Sequence, residues 1–387
     1  MNDTAAIDAE ALLRQAEIVA GAGKTDAALA TRVHALVDSI NGLGPLTTAE
    51  AAAGSAQLRQ LLFNRLRIAE DRRRSPGIAA ERIERPIFVV GMARTGTSLL
   101  HSLLALDTGA AAPVWWQTVT PSPPPGEVPV LGARLHYAAQ ELDTILMRAP
   151  GLLALHPYWD KREQAIVEDE EIFTLDFRGA YPTKLFNIPT LSVDITPADP
   201  VGAYAFLREF LQHFQWNRPV QRWVCKGVMH QFNLARLFEA FPDAVCIWPH
   251  RDPAEIMPSI LAIIMTLYGT INHWRIDPRA IAAAQVEGYR LALNRIIDDP
   301  IANDPRVHHV TFRRLSADPV AAVRDFYSAG GLEFSASFAS TMRAWLDDQA
   351  NNSNRYGRYR YSLEPYGLDA AHVREAFAPY RQRFGIA

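Results

Sequence analysis

Apolar residues recur with two different periods along the chain, and the change of period divides it. Over residues 1 to about 73, Ala, Leu, Arg and Glu dominate. Leu58, Leu61, Leu62, Leu66 and Ile68 fall near the spacing of one helix face. This stretch predicts helices. It ends in a charge run, Glu70-Asp-Arg-Arg-Arg74, that reads as a solvated helix end, followed by a Ser-Pro-Gly turn. At 85–90 the pattern becomes short and β-branched, Arg-Pro-Ile-Phe-Val-Val, and predicts a buried strand. Leucines at 99, 100, 103, 104 and 106 then cover one face of a helix over 98–106.

Residues 107–220 break the regularity. A Pro121-Ser-Pro-Pro-Pro125 loop and scattered aromatics, among them Trp115, Trp116, Tyr181, Phe186 and Tyr204, suggest an elaborated insertion. Regular alternation returns beyond it. Strands are expected at 223–225, 244–248 and 308–312, and helices at 231–240, 253 to about 268, 280–297 and 318–328. Strands alternating with helices imply an α/β fold, a central mostly parallel sheet covered on both faces, with ligands at the carboxyl ends of its strands. The organisation read from this is an N-terminal helical segment, 1–84, and a P-loop-like three-layer domain, 85–387.

Composition narrows the function classes. Of 387 residues 49% are hydrophobic and 21% charged, with a formal net charge of −3. A nucleic-acid binder would carry a strong basic excess, so no nucleic acid partner is expected. The two cysteines, Cys225 and Cys246, sit in apolar strand-like runs and read as small buried hydrophobes, not a disulfide framework. The start of the chain lacks a secretory signal, and no apolar run is long enough for a transmembrane segment. A cytoplasmic location is the expectation, and a homo-oligomer is left open.

The chemistry begins where the first strand meets its helix. Gly91-Met-Ala-Arg-Thr-Gly-Thr-Ser98 has the glycine spacing of a phosphate loop, G-x-x-x-x-G-K-[ST]. Glycines let backbone N–H groups turn inward, and a helix N-terminus adds partial positive charge. The Lys expected after the second glycine is Thr97, and a cation stands earlier, at Arg94. A nucleoside triphosphatase needs that Lys on its terminal phosphates. Arg94 would instead grip a phosphate or sulfate oxygen directly. A second strand-to-helix junction, Pro249-His-Arg-Asp-Pro253, places Arg251 at a strand end, with a helix-start signal after it and Ser259 two turns on.

The run from Pro86 to Asp107 resembles the 5′-phosphosulfate-binding segment of sulfotransferases that use 3′-phosphoadenosine 5′-phosphosulfate (PAPS). It looks most like the bacterial branch, which carries Arg in the loop where cytosolic animal enzymes carry Lys. The resemblance implicates Arg94, Thr95, Gly96, Thr97 and Ser98 in holding the 5′-phosphosulfate. His-Arg-Asp-Pro with a Ser eight residues after the Arg resembles the family's 3′-phosphate segment, which assigns Arg251 and Ser259 to it. The C-terminal Asn354-Arg-Tyr-Gly-Arg358 run resembles the loop that closes over the 3′-phosphate, and adds Arg355 and Arg358, although such arginines are also ordinary surface residues.

Sulfuryl transfer requires a cation for the leaving phosphate and a base for the acceptor hydroxyl. Fixed cations can do the neutralising, and the sequence has no metal-ligand spacing. Lys226, at the end of the second strand, matches the bacterial lysine, although Gly227 and Val228 replace the usual Ser-Pro. The histidine that cytosolic enzymes use as base would fall on Val228, so that base is missing. Glu168 is the first candidate, Glu170 the second and His230 the runner-up, while a run of acids is also what a solvated face looks like. His101 and His156 read as core or surface residues. The resemblance thus implies transfer from PAPS to a small-molecule acceptor, leaving adenosine 3′,5′-bisphosphate. The aromatic insertion and the stretch 260–274 suggest an apolar alcohol, sterol, terpenoid, lipid or phenol. The alternatives are a P-loop-type kinase or nucleotide hydrolase, and an inactive PAPS-binding protein.

Overall fold

A computed structural model describes residues 4–42, 44–128, 132–179, 199–266, 277–357 and 361–386. Three helices lead: α1 (Ala9–Ala20), α2 (Ala27–Asn41) and the long α3 (Thr48–Arg74). Side chains of Asp8, Asp26 and Thr47 cap their N-termini, taking up backbone N–H groups that would otherwise lack partners. Two short strands, β1 (Thr4–Ala5) and β2 (Leu46–Thr47), pair antiparallel between them. The helical pattern of this segment gave no sign of them, since two residues are too few to show a period.

Beyond α4 (Gly77–Ala80) comes β3 (Ile87–Val89), then α5 (Thr97–Leu104) and β4 (Ala110–Ala111). Among the described residues, the expected insertion contains five α-helices: α6 (Trp115–Val119), α7 (Gly132–Arg148), α8 (Leu152–Leu155), α9 (Asp169–Leu175) and α10 (Pro200–Gln215). The alternation resumes with β5 (Arg222–Lys226), α11 (Leu234–Ala240), β6 (Val245–His250), α12 (Pro253–Thr266), α13 (Pro278–Ile297), β7 (Val307–Thr311), α14 (Phe312–Ala317) and α15 (Pro319–Ala329). The helix expected at 231–240 is split. A 3₁₀ turn over Val228–Phe232 precedes α11, and Asn233 between them has φ −133°, outside the helical range. Tyr181, Phe186 and Tyr268 lie outside the described residues, as does most of the 260–274 stretch assigned to the acceptor.

The five strands form one sheet in the order β4-β5-β3-β6-β7, and every pairing in it is parallel. Side chains alternate across it. Phe88, Cys225, Cys246 and Trp248 enter one core, and Ile87, Val89, Val224 and Ile247 enter another. Helices cover both faces, which makes three layers. Both cysteines are buried and free.

The charge run at the end of α3 is not a solvated end. Asp71 is fully buried, and Arg72 donates to the Glu209 carbonyl and to Gln212 on α10, while Arg73 and Arg74 stay at the surface. The partners of Arg72 lie more than 130 residues away, beyond what a local pattern can show.

Two predictions follow from this core. Gly91 has φ +115°, and a Cβ there would sit 2.9 Å from Cδ1 of the fully buried Trp248. Gly91→Ala should cost about 2 kcal/mol, read as a lower urea midpoint, and an unchanged midpoint would refute the constraint. His101 and His213 are each buried against a backbone carbonyl, of Val224 and Pro121, and burial pushes their pKa values down to about 3 and about 4. Unfolded histidines take a proton near pH 6.5, so below that pH the unfolded chain binds more protons than the folded one. Stability should therefore fall as pH drops from about 6.5 towards 4. Thermal unfolding of His213→Asn should show a shallower fall over that window.

Candidate functional site

The register of the sheet sets the site. Val89 of β3 lies level with Lys226 of β5 and with Ile247 of β6. Parallel strands end on the same side, so the loop after β3, Lys226 and Arg251 all emerge at one edge.

The loop owes its shape to backbone that most residues avoid. Gly91 and Gly96 have φ of +115° and +98°, and Arg94 itself adopts +69°. A Cβ at Gly96 would come within 2.6 Å of Leu315 on α14, so the chain passes tightly beneath that helix. Holding Arg94 in the left-handed region costs on the order of 1 kcal/mol, a strain of the kind that collects at functional loops. Its guanidinium donates to the Leu155 carbonyl at 2.9 Å and to the Tyr361 hydroxyl at 3.3 Å. Thr95 is fully buried, and its hydroxyl donates back to the Met92 carbonyl at 2.7 Å, so it braces the loop. Gly96, Thr97 and Ser98 open α5 and line a cleft of about 1100 Å³.

Arg94 and Arg251 share that cleft. Arg251 stacks over Phe312 at 4.2 Å, pairs with Glu255 at 2.9 Å, and donates to the Arg94 carbonyl at 3.3 Å. Both cations are held by neutral or acidic neighbours before any ligand arrives. Ser259 is buried on α12, one residue after the cleft-lining Pro258, and its hydroxyl has no hydrogen-bond partner. Buried hydroxyls are seldom left so. Arg355 is turned to Asp160 and the Pro157 carbonyl, each at 2.7 Å, and the cleft is lined instead by Asn351, Asn352, Ser353 and Asn354 just before it. Arg358 lies outside the described residues.

At the cleft edge, Ser98 accepts from Lys226 Nζ at 3.1 Å, and Lys226 pairs with Glu168 Oε1 at 2.7 Å. The lysine side chain is 6% exposed and the glutamate 28%. A lysine so desolvated needs its carboxylate partner. Glu168 immediately precedes α9, and Glu170 is in that helix's first turn. Two residues along a helix point to different sides, so Glu170 does not share the Glu168 face.

His230 is a correction. It is fully buried, Nε2 donating to Asp169 at 2.8 Å and Nδ1 accepting from the Tyr204 hydroxyl at 2.9 Å. Both nitrogens are taken, leaving none for an acceptor hydroxyl. Sequence reasoning missed Asp169 and Tyr204, which reach His230 from elements 61 and 26 residues away. This chain ties the first residue of α9 beneath Lys226, and so seats Glu168 on its lysine. Burial raises the Asp169 pKa, and its hydrogen bond to His230 opposes the rise. His101 is a core residue as expected. His156 sits beside the cleft-lining Pro157, its pKa pushed down to about 4 by burial and then by the Lys226 cation.

The sulfotransferase family model matches residues 86–336. A Mycobacterium bovis protein, omega-hydroxy-beta-dihydromenaquinone-9 sulfotransferase Stf3, is 26% identical over 313 residues, covering 76% of this chain and 74% of its own. The crystal structure of sulfotransferase STF9 from Mycobacterium avium superposes with a TM-score of 0.83 at 24% identity, covering 100% of this chain and 98% of its own. That of STF1 from Mycobacterium tuberculosis gives 0.77 at 25% identity, covering 98% and 100%.

Asp169→Asn should keep the fold yet lower kcat by about tenfold or more with the donor KM little changed, and shift the pH profile, because Glu168 would lose its fixed seat. A normal kcat and profile in a folded variant would refute the seating role.

Proposed function

The chain belongs to the sulfotransferase family, and from that premise we propose that it moves a sulfuryl group from PAPS to the hydroxyl of a small apolar acceptor. The observation that carries the reading is the single cleft shared by Arg94 and Arg251, with Lys226 and Glu168 at its edge. A donor with phosphate at one end and phosphosulfate at the other needs two separate cation sites. The residues fit it. The glycine cradle with Arg94, Thr97 and Ser98 would hold the 5′-phosphosulfate, and Arg251 with the unpaired Ser259 hydroxyl the 3′-phosphate.

PAPS supplies the activated sulfuryl group. Lys226 provides positive charge where the departing phosphate gains negative charge, and Glu168 takes the proton of the acceptor hydroxyl. Their ion pair supports both roles, since the lysine must be protonated and the glutamate ionised for the reaction to start. The acceptor oxygen attacks sulfur, the bond from sulfur to the bridging oxygen breaks, and adenosine 3′,5′-bisphosphate leaves with that electron pair. Hydroxylated lipids are the favoured acceptor class. The aromatic insertion suits them, and a relative is named for a hydroxylated menaquinone. A cytoplasmic setting completes the reading. Among the described residues, no helix is long and apolar enough to cross a membrane.

Adenosine 3′,5′-bisphosphate should bind by calorimetry in the presence of EDTA, and Arg251→Ala should weaken it about tenfold or more while changing AMP binding little. Lys226→Met should cut kcat with PAPS by about 100-fold or more at similar donor affinity. Equal loss of both nucleotides in Arg251→Ala, or full activity in Lys226→Met, would overturn the reading.

A further inference from the structure

A second cavity, of about 930 Å³, opens between the N-terminal helix α3 and a wall built by α6, α7 and α9. Nothing in the donor-binding motifs accounts for it. We infer that this groove holds the apolar body of the acceptor, a long-chain alcohol, and delivers its hydroxyl to Glu168. The inference rests on the sulfuryl-transfer reading above and gives it an acceptor site.

The groove is joined to the chemistry by one short helix. Glu168, Glu171 and Leu175 follow each other at spacings of three and four, which places them along one side of α9. Glu168 at the start meets Lys226, while Glu171 and Leu175 line the groove. Seven helical residues span about 10 Å, well within the length of an extended alkyl chain. A second connection runs through the backbone. Trp115 N–H donates to the Ala165 carbonyl at 2.8 Å, and Val167 N–H to the Pro113 carbonyl at 3.0 Å. The segment that carries Glu168 is thereby laced to the segment that carries Trp115, a residue of the groove wall.

Polar ties join the middle of α3 to the α6 and α9 side of the groove. Asp176, directly after α9, is buried and pairs with Arg32 of α2 at 3.1 Å, with Arg65 of α3 and with Arg178. Asn64 of α3 donates to the Val119 carbonyl at the end of α6 at 2.9 Å. Towards the N-terminus of α3 from these ties, the small residues Ala49, Ala53 and Gly54 line the groove together with Trp115, Val119 and Ile145. Small residues on this part of α3 leave room that larger side chains would fill, and the space left is of ligand size.

The lining chemistry selects the occupant. Three carboxylates, Glu50, Glu141 and Glu171, face only two cations, Arg59 and Arg148, so a polyanion such as a second nucleotide is disfavoured. The apolar share of the lining, with Leu61, Trp115, Val119, Ile145 and Leu175, offers an alkyl or polyprenyl chain its contacts.

Ala49 and Ala53 are exposed positions of α3, where a tryptophan would fill the groove without entering a core. The probe is 1-decanol, with calorimetric binding as the first readout and PAPS-dependent sulfation as the second. The wild-type chain should bind 1-decanol, and Ala53→Trp and Ala49→Trp should each weaken it about tenfold or more, with adenosine 3′,5′-bisphosphate binding held within twofold as proof of an intact fold. The ratio of kcat/KM for 1-decanol over 1-butanol should fall by a similar factor. No binding of 1-decanol to the wild type, or unchanged binding and turnover of it in both variants, overturns the groove and leaves the reaction standing. Binding that weakens as expected with no sulfated product from any alcohol overturns the reaction and leaves the groove standing.

Discussion

The alignment of three parallel strands is the constraint on which the site depends. β3 pairs with β5 and β6 so that Val89 stands level with Lys226 on one side and Ile247 on the other. The phosphate loop, the lysine and Arg251 therefore start from one edge, positioned by backbone hydrogen bonds and not by contacts among themselves. A one-residue slip of β5 would turn Lys226 into the opposite core. Burial on both faces of the sheet forbids that slip, because Cys225 and Val224 would have to exchange environments. The hydrophobic cores thus fix the charge geometry of a polar cleft.

Cations brought this close repel, and the fold answers each locally. Arg94 is held by a carbonyl and a tyrosine hydroxyl, Arg251 by Glu255 and the face of Phe312, Lys226 by Glu168 and Ser98. These partners keep the positive groups oriented before a donor arrives, so little rearrangement opposes binding. The Asp169, His230 and Tyr204 chain does the same for the acid, one layer below. Its burial makes it costly to disturb, since any single deletion leaves a polar group without a partner in the core.

Which parts were legible in the sequence follows from how local each one is. The α/β alternation and the loop from Gly91 to Ser98 are contiguous, so strand, turn and helix could be read in order. Arg251 was legible for the same reason, standing between a strand and a capped helix start. Lys226 and Glu168 needed the family resemblance, because the 58 residues between them carry no periodic signal of their pairing. His230 was misread as a spare base because its partners come from α9 and α10, and no spacing along the chain announces a buried triad. The Glu70 to Arg74 run failed likewise: Asp71 is buried by α10, an element whose position only the tertiary fold decides.

The N-terminal helices read from sequence as a separate segment, yet their strongest polar ties run into the domain that holds the site. Asp176 gathers arginines from α2, α3 and its own loop at the far end of α9, while Glu168 meets Lys226 at the near end. A seven-residue helix has little stability of its own. Anchored at both termini, it becomes a strut between the N-terminal helices and the sheet. The carboxylate proposed as base is therefore seated by a helix tied to α3, whereas the phosphate loop is set by the strands. On the proposed reading, donor binding and acceptor activation thus rest on different parts of the fold, and the helical segment belongs to the second.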